Sequence, residues 1–600
     1  MSQQWQKMLQ IDSRPSDDKD MLEKVSDEIH SEQCSVVYSP QGGGSKPEKP
    51  HGFILFACIG SLVLSLFLAA LDIMIVVSLV EDVAKKFNGY SKTGWIFAGY
   101  SLPNALLALI WGRLACVIGF KTAMLLSIVI FEIGSLVSGV ADSMNMLIGG
   151  RVIAGIGGSG LQSLCFVIGS QLVEESKRGI VIAYLGSAFG VASIAGPFLG
   201  GAFTTHATWR WCFYINLPIG GVAFFVFLMF YNPEGKGSLR NSLKATWTHL
   251  KLVKKLKTLH GWIAFANELA FRFDIIEFIL CTAGTVLILL ALTFGGNEYR
   301  WDSAAIIVML VIGICLCIAA LVYDFYLFPR LPTVKQNPQY SPLLVWPLIK
   351  KPGILTPTLG VFFVCAAYMC QLNYIVQFFQ LIYNQSAWKA SVRLIASMIP
   401  TILTVVISGV VNSKFGFVKP IAVLGGISAV VGGGLLTLLT NRSDSSDHIG
   451  LLILPGIAFG ATIQSGLVSV QLQVDKTSPS AHADFVSVTT LNAFSKGLGF
   501  AFGGVICDTV FSVSVANKLH GNGNTWPIHS SNELISYRGE YFDGPRSKMG
   551  NLISNSIRNV FYMALGLSAI GFLFNLFTSN KMVDLSPHPK VDEESSISST

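Results

Sequence analysis

The sequence predicts an all-α membrane protein that crosses the bilayer about fourteen times, and three observations carry that prediction. Of its 600 residues 52% are hydrophobic and only 13% charged, against about 45–50% apolar and about 25% charged in soluble domains. Mean hydropathy is +0.56 over the whole chain, which excludes a single anchor and leaves room for a dozen or more crossings of about 20 residues each. Apolar runs long enough to cross recur at 53–80, 93–111, 122–141, 146–173, 179–203, 211–231, 274–294, 303–328, 354–383, 390–411, 420–440, 449–469, 485–512 and 557–578. An even number of crossings returns both ends to one side.

Composition also narrows function. The net charge of +7 comes from basic residues in short patches between apolar runs, where they report orientation rather than nucleic-acid binding. The 11 cysteines fall almost entirely inside apolar runs with no C-x-x-C pair, a pattern of packing residues rather than of disulfides or a metal site.

Taken in order, residues 1–52 read as a disordered cytosolic tail, with nine acidic and six basic side chains among the first 51 residues and no apolar run that would serve as a cleavable signal. Residues 53–231 hold six crossings, 232–273 a basic cytosolic loop, 274–328 a further pair of crossings, 329–578 six more, and 579–600 a short cytosolic tail. With the N-terminus inside, the cytosolic connections carry 19 Lys and Arg against 11 outside, as expected for loops retained in the cytosol. Eight of the 19 lie in the 232–273 loop, so independent support matters. The N-x-S sequons at Asn384 and Asn441 supply it: both fall in outer connections, where glycosylation is possible.

Gly155-Ile-Gly-Gly-Ser-Gly160 matches the G-x-G-x-x-G string of dinucleotide sites. That string needs a preceding strand, and here it lies within an apolar helix, where glycines let two membrane helices approach closely. No G-x-x-x-x-G-K-[ST] string occurs, and no soluble domain is large enough to hydrolyse ATP. Transport would therefore draw on an ion gradient, with no cofactor. No metal cluster or nucleophile constellation marks an enzyme.

Ionisable groups inside spans are costly and so are functional candidates. Asp72 lies late in span one, Glu132 midway along span three, Arg151 early in span four and Lys496 midway along span thirteen. Alternating span directions place Asp72 and Arg151 at similar depth, where they can meet. A carboxyl held between burial, which favours its neutral form, and a guanidinium, which favours its charged form, can exchange a proton. The alternative is a static pair pinning two helices. Asn373, Gln377 and Gln380 in span nine are spaced i, i+4, i+7 on one face, and Thr489, Asn492 and Lys496 form a similar stripe in span thirteen. Such stripes are expected to line a cavity, with helix-to-helix bonding as the rival. Lys496 has no carboxylate near it in sequence; its partner is expected to be anionic cargo or an acid from another span such as Glu132.

Gly186-Ser-Ala-Phe-Gly190-Val-Ala-Ser-Ile-Ala-Gly196-Pro197-Phe-Leu-Gly200-Gly201 in span five resembles the antiporter signature of the major facilitator superfamily. Leu71-Asp72-Ile-Met-Ile-Val resembles the first-span motif of its fourteen-span drug:proton antiporters, and Arg151-Val-Ile-Ala-Gly155-Ile-Gly157 the motif associated with proton handling. Trp209-Arg-Trp-Cys-Phe-Tyr-Ile-Asn-Leu-Pro218 is similar to the fungal members. One segment departs: the loop that usually reads G-x-L-A-D-x-x-G-R-K is here Gly112-Arg-Leu-Ala-Cys116-Val-Ile-Gly119-Phe120-Lys121. An acid and a base are missing, so its usual charge contacts cannot form in the usual way.

The resemblance implies a major facilitator fold of two six-helix halves plus two extra central helices, working by alternating access. It implies export of xenobiotics such as azoles and weak organic acids at the plasma membrane, driven by protons worth about 2.3 kcal/mol each per 100 mV, in a monomer whose partners are small molecules, protons and the bilayer, without nucleic acid. The same architecture serves vacuolar uptake of basic amino acids, and a non-transporting nutrient sensor is the reading from another class.

Overall fold

Among the residues described by the computed structural model, thirteen helices are long and apolar enough to cross a membrane, and a bent pair brings the number of crossings to fourteen. Described are residues 52–87, 93–232, 273–295, 299–331, 334–335, 342–383, 385, 389, 392–441, 445–475, 477–478, 480–520 and 544–583. The tail 1–52 and the loop 232–273 therefore lie outside the described residues, apart from Gly52, Asn232 and Phe273, as do 584–600.

The first half comprises span one (Phe53–Phe87), span two (Thr93–Leu106 and Ala108–Ile118), span three (Phe120–Gly139), span four (Met144–Gln171), span five (Glu175–His206) and span six (Trp211–Tyr214 and Asn216–Phe230). Spans seven (Ile275–Phe294) and eight (Ala304–Val322) follow as the inserted pair. The second half comprises spans nine (Pro352–Tyr383), ten (Ile395–Phe415), eleven (Lys419–Leu436), twelve (Ser445–Leu472), thirteen (Ala481–His520) and fourteen (Lys548–Leu576).

Two departures from the apolar runs have physical causes. Span two bends by 42° between its two pieces, just after Pro103, which lacks an amide proton and crowds the preceding turn. Span fourteen begins at Lys548 rather than 557, because main-chain hydrogen bonding is indifferent to polar side chains. Its early turns bury Ile553 and Ile557, and Asn559 Nδ2 donates to Ser514 Oγ of span thirteen at 2.8 Å.

Burial sorts the spans. Within its most apolar window span four is 83% buried, whereas span eight is 17% buried and turns Ile307, Val311, Ile314 and Ile318 outward. Span four is central; span eight is a lipid-facing outrigger that packs on span seven through Gly284 and Gly313. A Cβ on Gly284 would lie 2.8 Å from the Gly313 carbonyl oxygen.

The two halves meet along two seams. Span five meets span ten: a Cβ added to Gly186 would lie 2.8 Å from Val405 Cγ1 and one on Gly190 2.3 Å from Ile402 Cγ1. Span two meets span thirteen, where Gly112 sits on Thr490 and Gly497 on Ala105. Further contacts across the halves gather at the end read as cytosolic. There Gln464 Nε2 donates to the Gly179 carbonyl at 2.8 Å, Gln471 Nε2 to Ser170 Oγ at 3.2 Å, and the Arg178 guanidinium lies 4.9 Å from the Phe485 ring.

Candidate functional site

Asp72 and Arg151 come together at the centre of the first half. Arg151 Nη1 donates to Asp72 Oδ2, with the two side chains 1% and 0% exposed. The sequence places one on span one and one on span four, and close packing does the rest. Gly155 has no Cβ, so span four abuts span two: a Cβ there would lie 2.4 Å from the Tyr100 carbonyl oxygen. On the other side a Cβ on Gly157 would lie 2.3 Å from the Phe131 amide nitrogen of span three. The glycine string is thus a helix collar, with Arg151 one turn before it.

The pair is closed on every side. Arg151 Nε donates to the Ile96 carbonyl at 3.3 Å, and the guanidinium carbon stands 4.5 Å from the Tyr100 ring centroid and 5.9 Å from that of Phe213. Asn216 Nδ2 donates to Asp72 Oδ1 and to Ser135 Oγ, each at 3.1 Å. Asn216 and Tyr100 were not among the sequence candidates. The signal for Asn216 was present, an amide inside an apolar run of the kind used to single out Asn373, but nothing local says that it bridges spans one and three.

Glu132 makes no hydrogen bond to this network and no ion pair with Lys496. Its carboxylate packs against Gly220 of span six, the position where a Cβ would collide with Oε1, and neither oxygen has a hydrogen-bond partner.

A cavity lies between the halves. Its walls include Tyr100, Phe189, Tyr368, Phe459 and Phe500 together with Met74, Met369 and Met398; Asn104, Gln162, Ser193 and Thr401 supply polar atoms. None of its lining residues is ionisable other than tyrosine. Three ring contacts run along one wall: Tyr368 stacks on Phe459 at 4.1 Å, Phe459 meets Phe500 at 5.8 Å, and Phe500 stacks on Phe189 at 6.2 Å.

The six residues expected in a substrate cavity do not line it. Asn373, Gln377 and Gln380 give way to Tyr368, Met369 and Leu372. Asn373 follows Met369 by one helical turn, so it borders that wall without being part of it. Asn373 hydrogen-bonds Cys507 of span thirteen, the helix-to-helix reading. Asn492 is 5% exposed and its Nδ2 has no partner. Lys496 is 7% exposed and lies behind the Phe189 ring. Its Nζ is 5.7 Å from the Phe189 centroid and 5.3 Å from that of Phe166, with no carboxylate in ion-pairing reach among the described residues. Glu132 lies with span six instead.

The antiporter-like glycines divide by depth. Gly186 and Gly190 face span ten across the halves, whereas Gly196 abuts span one, where a Cβ would lie 2.6 Å from Met74 Cβ. Gly200 is buried and Gly201 half-buried; the side chain of Pro197 lies outside the description. In the divergent loop, Phe120 places its ring 5.7 Å from that of His482 in the second half, and Lys121 Nζ donates to the Leu228 carbonyl at 2.8 Å. An aromatic contact thus joins the halves at Phe120. Of the two sequons, Asn384 lies outside the described residues. Asn441 is 8% exposed and spends its amide on the Pro545 carbonyl at 2.7 Å and Asn551 Oδ1 at 2.9 Å. The atom that would carry a glycan is engaged, which corrects the reading of Asn441 as an acceptor.

A family model described as Major Facilitator Superfamily matches residues 62–321. The chain is 53% identical over 580 residues to Azole resistance protein 1 of Saccharomyces cerevisiae, covering 94% of this chain and 95% of that protein. It is 48% identical to Vacuolar basic amino acid transporter 5 of the same yeast, covering 93% and 96%. To Efflux pump aflT of Aspergillus parasiticus it is 32% identical, covering 78% and 84%.

Proposed function

The chain belongs to the Major Facilitator Superfamily, and from that premise we propose that this transporter is a proton-coupled exporter of lipophilic xenobiotics such as azoles and of weak organic acids, acting at the plasma membrane. The observation that carries the reading is the cavity between the halves, walled by aromatic rings and methionines and free of carboxylates. Planar, largely apolar cargo is held by such walls through area and ring contacts. The Asn104 and Gln162 amides supply hydrogen bonds for orientation.

Proton coupling falls to Asp72, separated from the cavity in the first half. Arg151 is its partner in the closed arrangement; when the helices separate, protonation of Asp72 offsets the lost contact, and reclosure releases the proton to the other side. Cargo and proton then occupy different places, and the rocking seams at Gly186, Gly190 and Gly112 link them. Uptake of basic amino acids at the vacuole is the second reading, supported by the 48% relative. It requires an acid facing the cargo, and the cavity wall offers none.

The test pairs location with cargo. A tagged protein is followed by microscopy, a deletion strain is challenged with an azole and with acetate, and isolated vacuoles are assayed for lysine and arginine uptake. Plasma-membrane signal with hypersensitivity is the expected result. Vacuolar signal with loss of arginine uptake and unchanged drug tolerance would replace the export reading with the vacuolar one.

A further inference from the structure

The inserted pair meets span two in a buried cluster that the transport reading does not use. Asp274 caps span seven, its Oδ1 accepting from the Glu277 amide at 3.4 Å. The chain leading into span nine folds back here, so that the Leu343 amide donates to Glu277 Oε2 at 2.9 Å and to Asp274 Oδ2 at 3.4 Å. Asp324 arrives from the π turn Tyr323–Leu327 that ends span eight. The three side chains are 1%, 1% and 3% exposed, and ligand oxygens of all three lie within 4.8 Å of one another.

Among the described residues acids outnumber bases here. The Arg113 guanidinium of span two acts electrostatically on all three acids, but its Nη2 donates to the Pro342 carbonyl. Lys350, on the same side, lies over the rings of Phe325 and Trp346 at 5.3 and 5.4 Å. Three acids among the described residues face one guanidinium; with all three ionised the site would carry two uncompensated negative charges, which is expensive without a partner. Asp324 shows where that partner goes: it points into the cluster and neither of its oxygens has a hydrogen-bond partner. Glu132 also has two unpartnered oxygens, but only Asp324 has two further acids within ligand distance, so that one cation would serve all three.

We propose that Asp274, Glu277 and Asp324 bind one hard divalent cation of the magnesium or calcium class, which ties spans seven and eight together beside Arg113 of span two. The donor set is all oxygen, which hard ions prefer and zinc or copper sites seldom show. Oxygens bound to one such ion at about 2.0–2.6 Å lie at most about 4–5 Å apart, the spread found here. The cluster stands beside Arg113 of the divergent loop, the segment in which Cys116 replaces the usual acid.

The test uses the full-length protein in lipid nanodiscs with Mn2+ as an EPR-visible probe. Expected is one Mn2+ per chain, displaced by Mg2+ and Ca2+, with affinity falling roughly tenfold or more in Asp324→Asn. Asp324 caps no helix and accepts no bond, so this variant spares the fold. Added Mg2+ should raise the thermal midpoint of the wild-type protein and leave that of Asp324→Asn unmoved. As a check that needs no variant, Fe2+ with ascorbate and peroxide should cut the wild-type backbone near 274, 324 and 343. Equal Mn2+ binding by both proteins, no saturable binding, or cuts elsewhere would overturn the site. So would a variant that is more stable than wild type while wild type ignores Mg2+, which would mark an acid cluster neutralised by protons and Arg113 alone.

Discussion

Buried charge is handled in opposite ways at two sites of this transporter. In the first half Asp72 and Arg151 neutralise each other and are further bound by Asn216, Ile96 and Tyr100. On span thirteen Lys496 has two aromatic rings and, among the described residues, no anion. A closed pair of this kind answers to a proton, because protonating the acid is the cheapest way to undo it; breaking such a pair otherwise costs about 3–5 kcal/mol. An ammonium held only by ring faces, each contact worth about 0.5–2 kcal/mol, keeps most of its appetite for an anion. On the proposed reading the first switches and the second recognises, and the Phe189 ring beside Lys496 is itself a cavity wall.

The sharpest way to break this contrast is Asp72→Asn. Gradient-driven efflux from vesicles is expected to fall to that of empty vesicles for every cargo, while energy-independent counterflow persists, because the amide keeps the volume and the Asn216 contact but cannot titrate. Efflux that remains concentrative would take Asp72 out of coupling.

Lys496→Gln comes next and should be selective. If Lys496 receives the anion of a weak acid, growth inhibition by acetate rises roughly 5–10-fold, the worth of about 1–1.4 kcal/mol, with azole tolerance nearly unchanged at matched surface expression. Equal loss for both compounds would return Lys496 to a structural role.

A smaller effect is expected from Asn216→Ala. It deletes two hydrogen bonds and leaves Ser135 and one Asp72 oxygen short of a donor, at about 1–3 kcal/mol. Lower thermal stability and a uniform drop in transport across cargo would place Asn216 with the pair; a change in cargo ranking would move it to the recognition side.

Glu132→Gln should matter least. Its oxygens touch no donor and no cavity wall, so efflux is expected to stay within about twofold, well under the 1.4 kcal/mol that a tenfold change represents. A loss of coupling as severe as that of Asp72→Asn would reveal a second coupling acid and undo the division of labour.

Much of this was legible beforehand for a plain reason: a charge inside a span is conspicuous. Asp72, Arg151, Glu132 and Lys496 are singled out by cost alone, and the equal depth of Asp72 and Arg151 follows from counting residues along antiparallel helices. Asn216 was hidden because an amide is cheap enough to pass unnoticed near a span end. The span-nine stripe misled for a different reason. Its spacing correctly places Asn373, Gln377 and Gln380 on one face, but spacing is silent about which neighbour that face meets, and span thirteen met it at Cys507.

Transfer of each segment from water to lipid depends on that segment's own residues, so the sequence by itself determined the number of crossings, the bundle they belong to and the ionisable groups that must earn their burial. Rotation of each helix about its axis depends on the helices beside it. That is why tertiary structure alone decided that Tyr368 and Phe459 rather than the span-nine amides wall the cavity, that Asn441 is spent on Pro545 and Asn551, and that Asp274, Glu277 and Asp324, some fifty residues apart at the ends of two apolar runs, converge on Arg113.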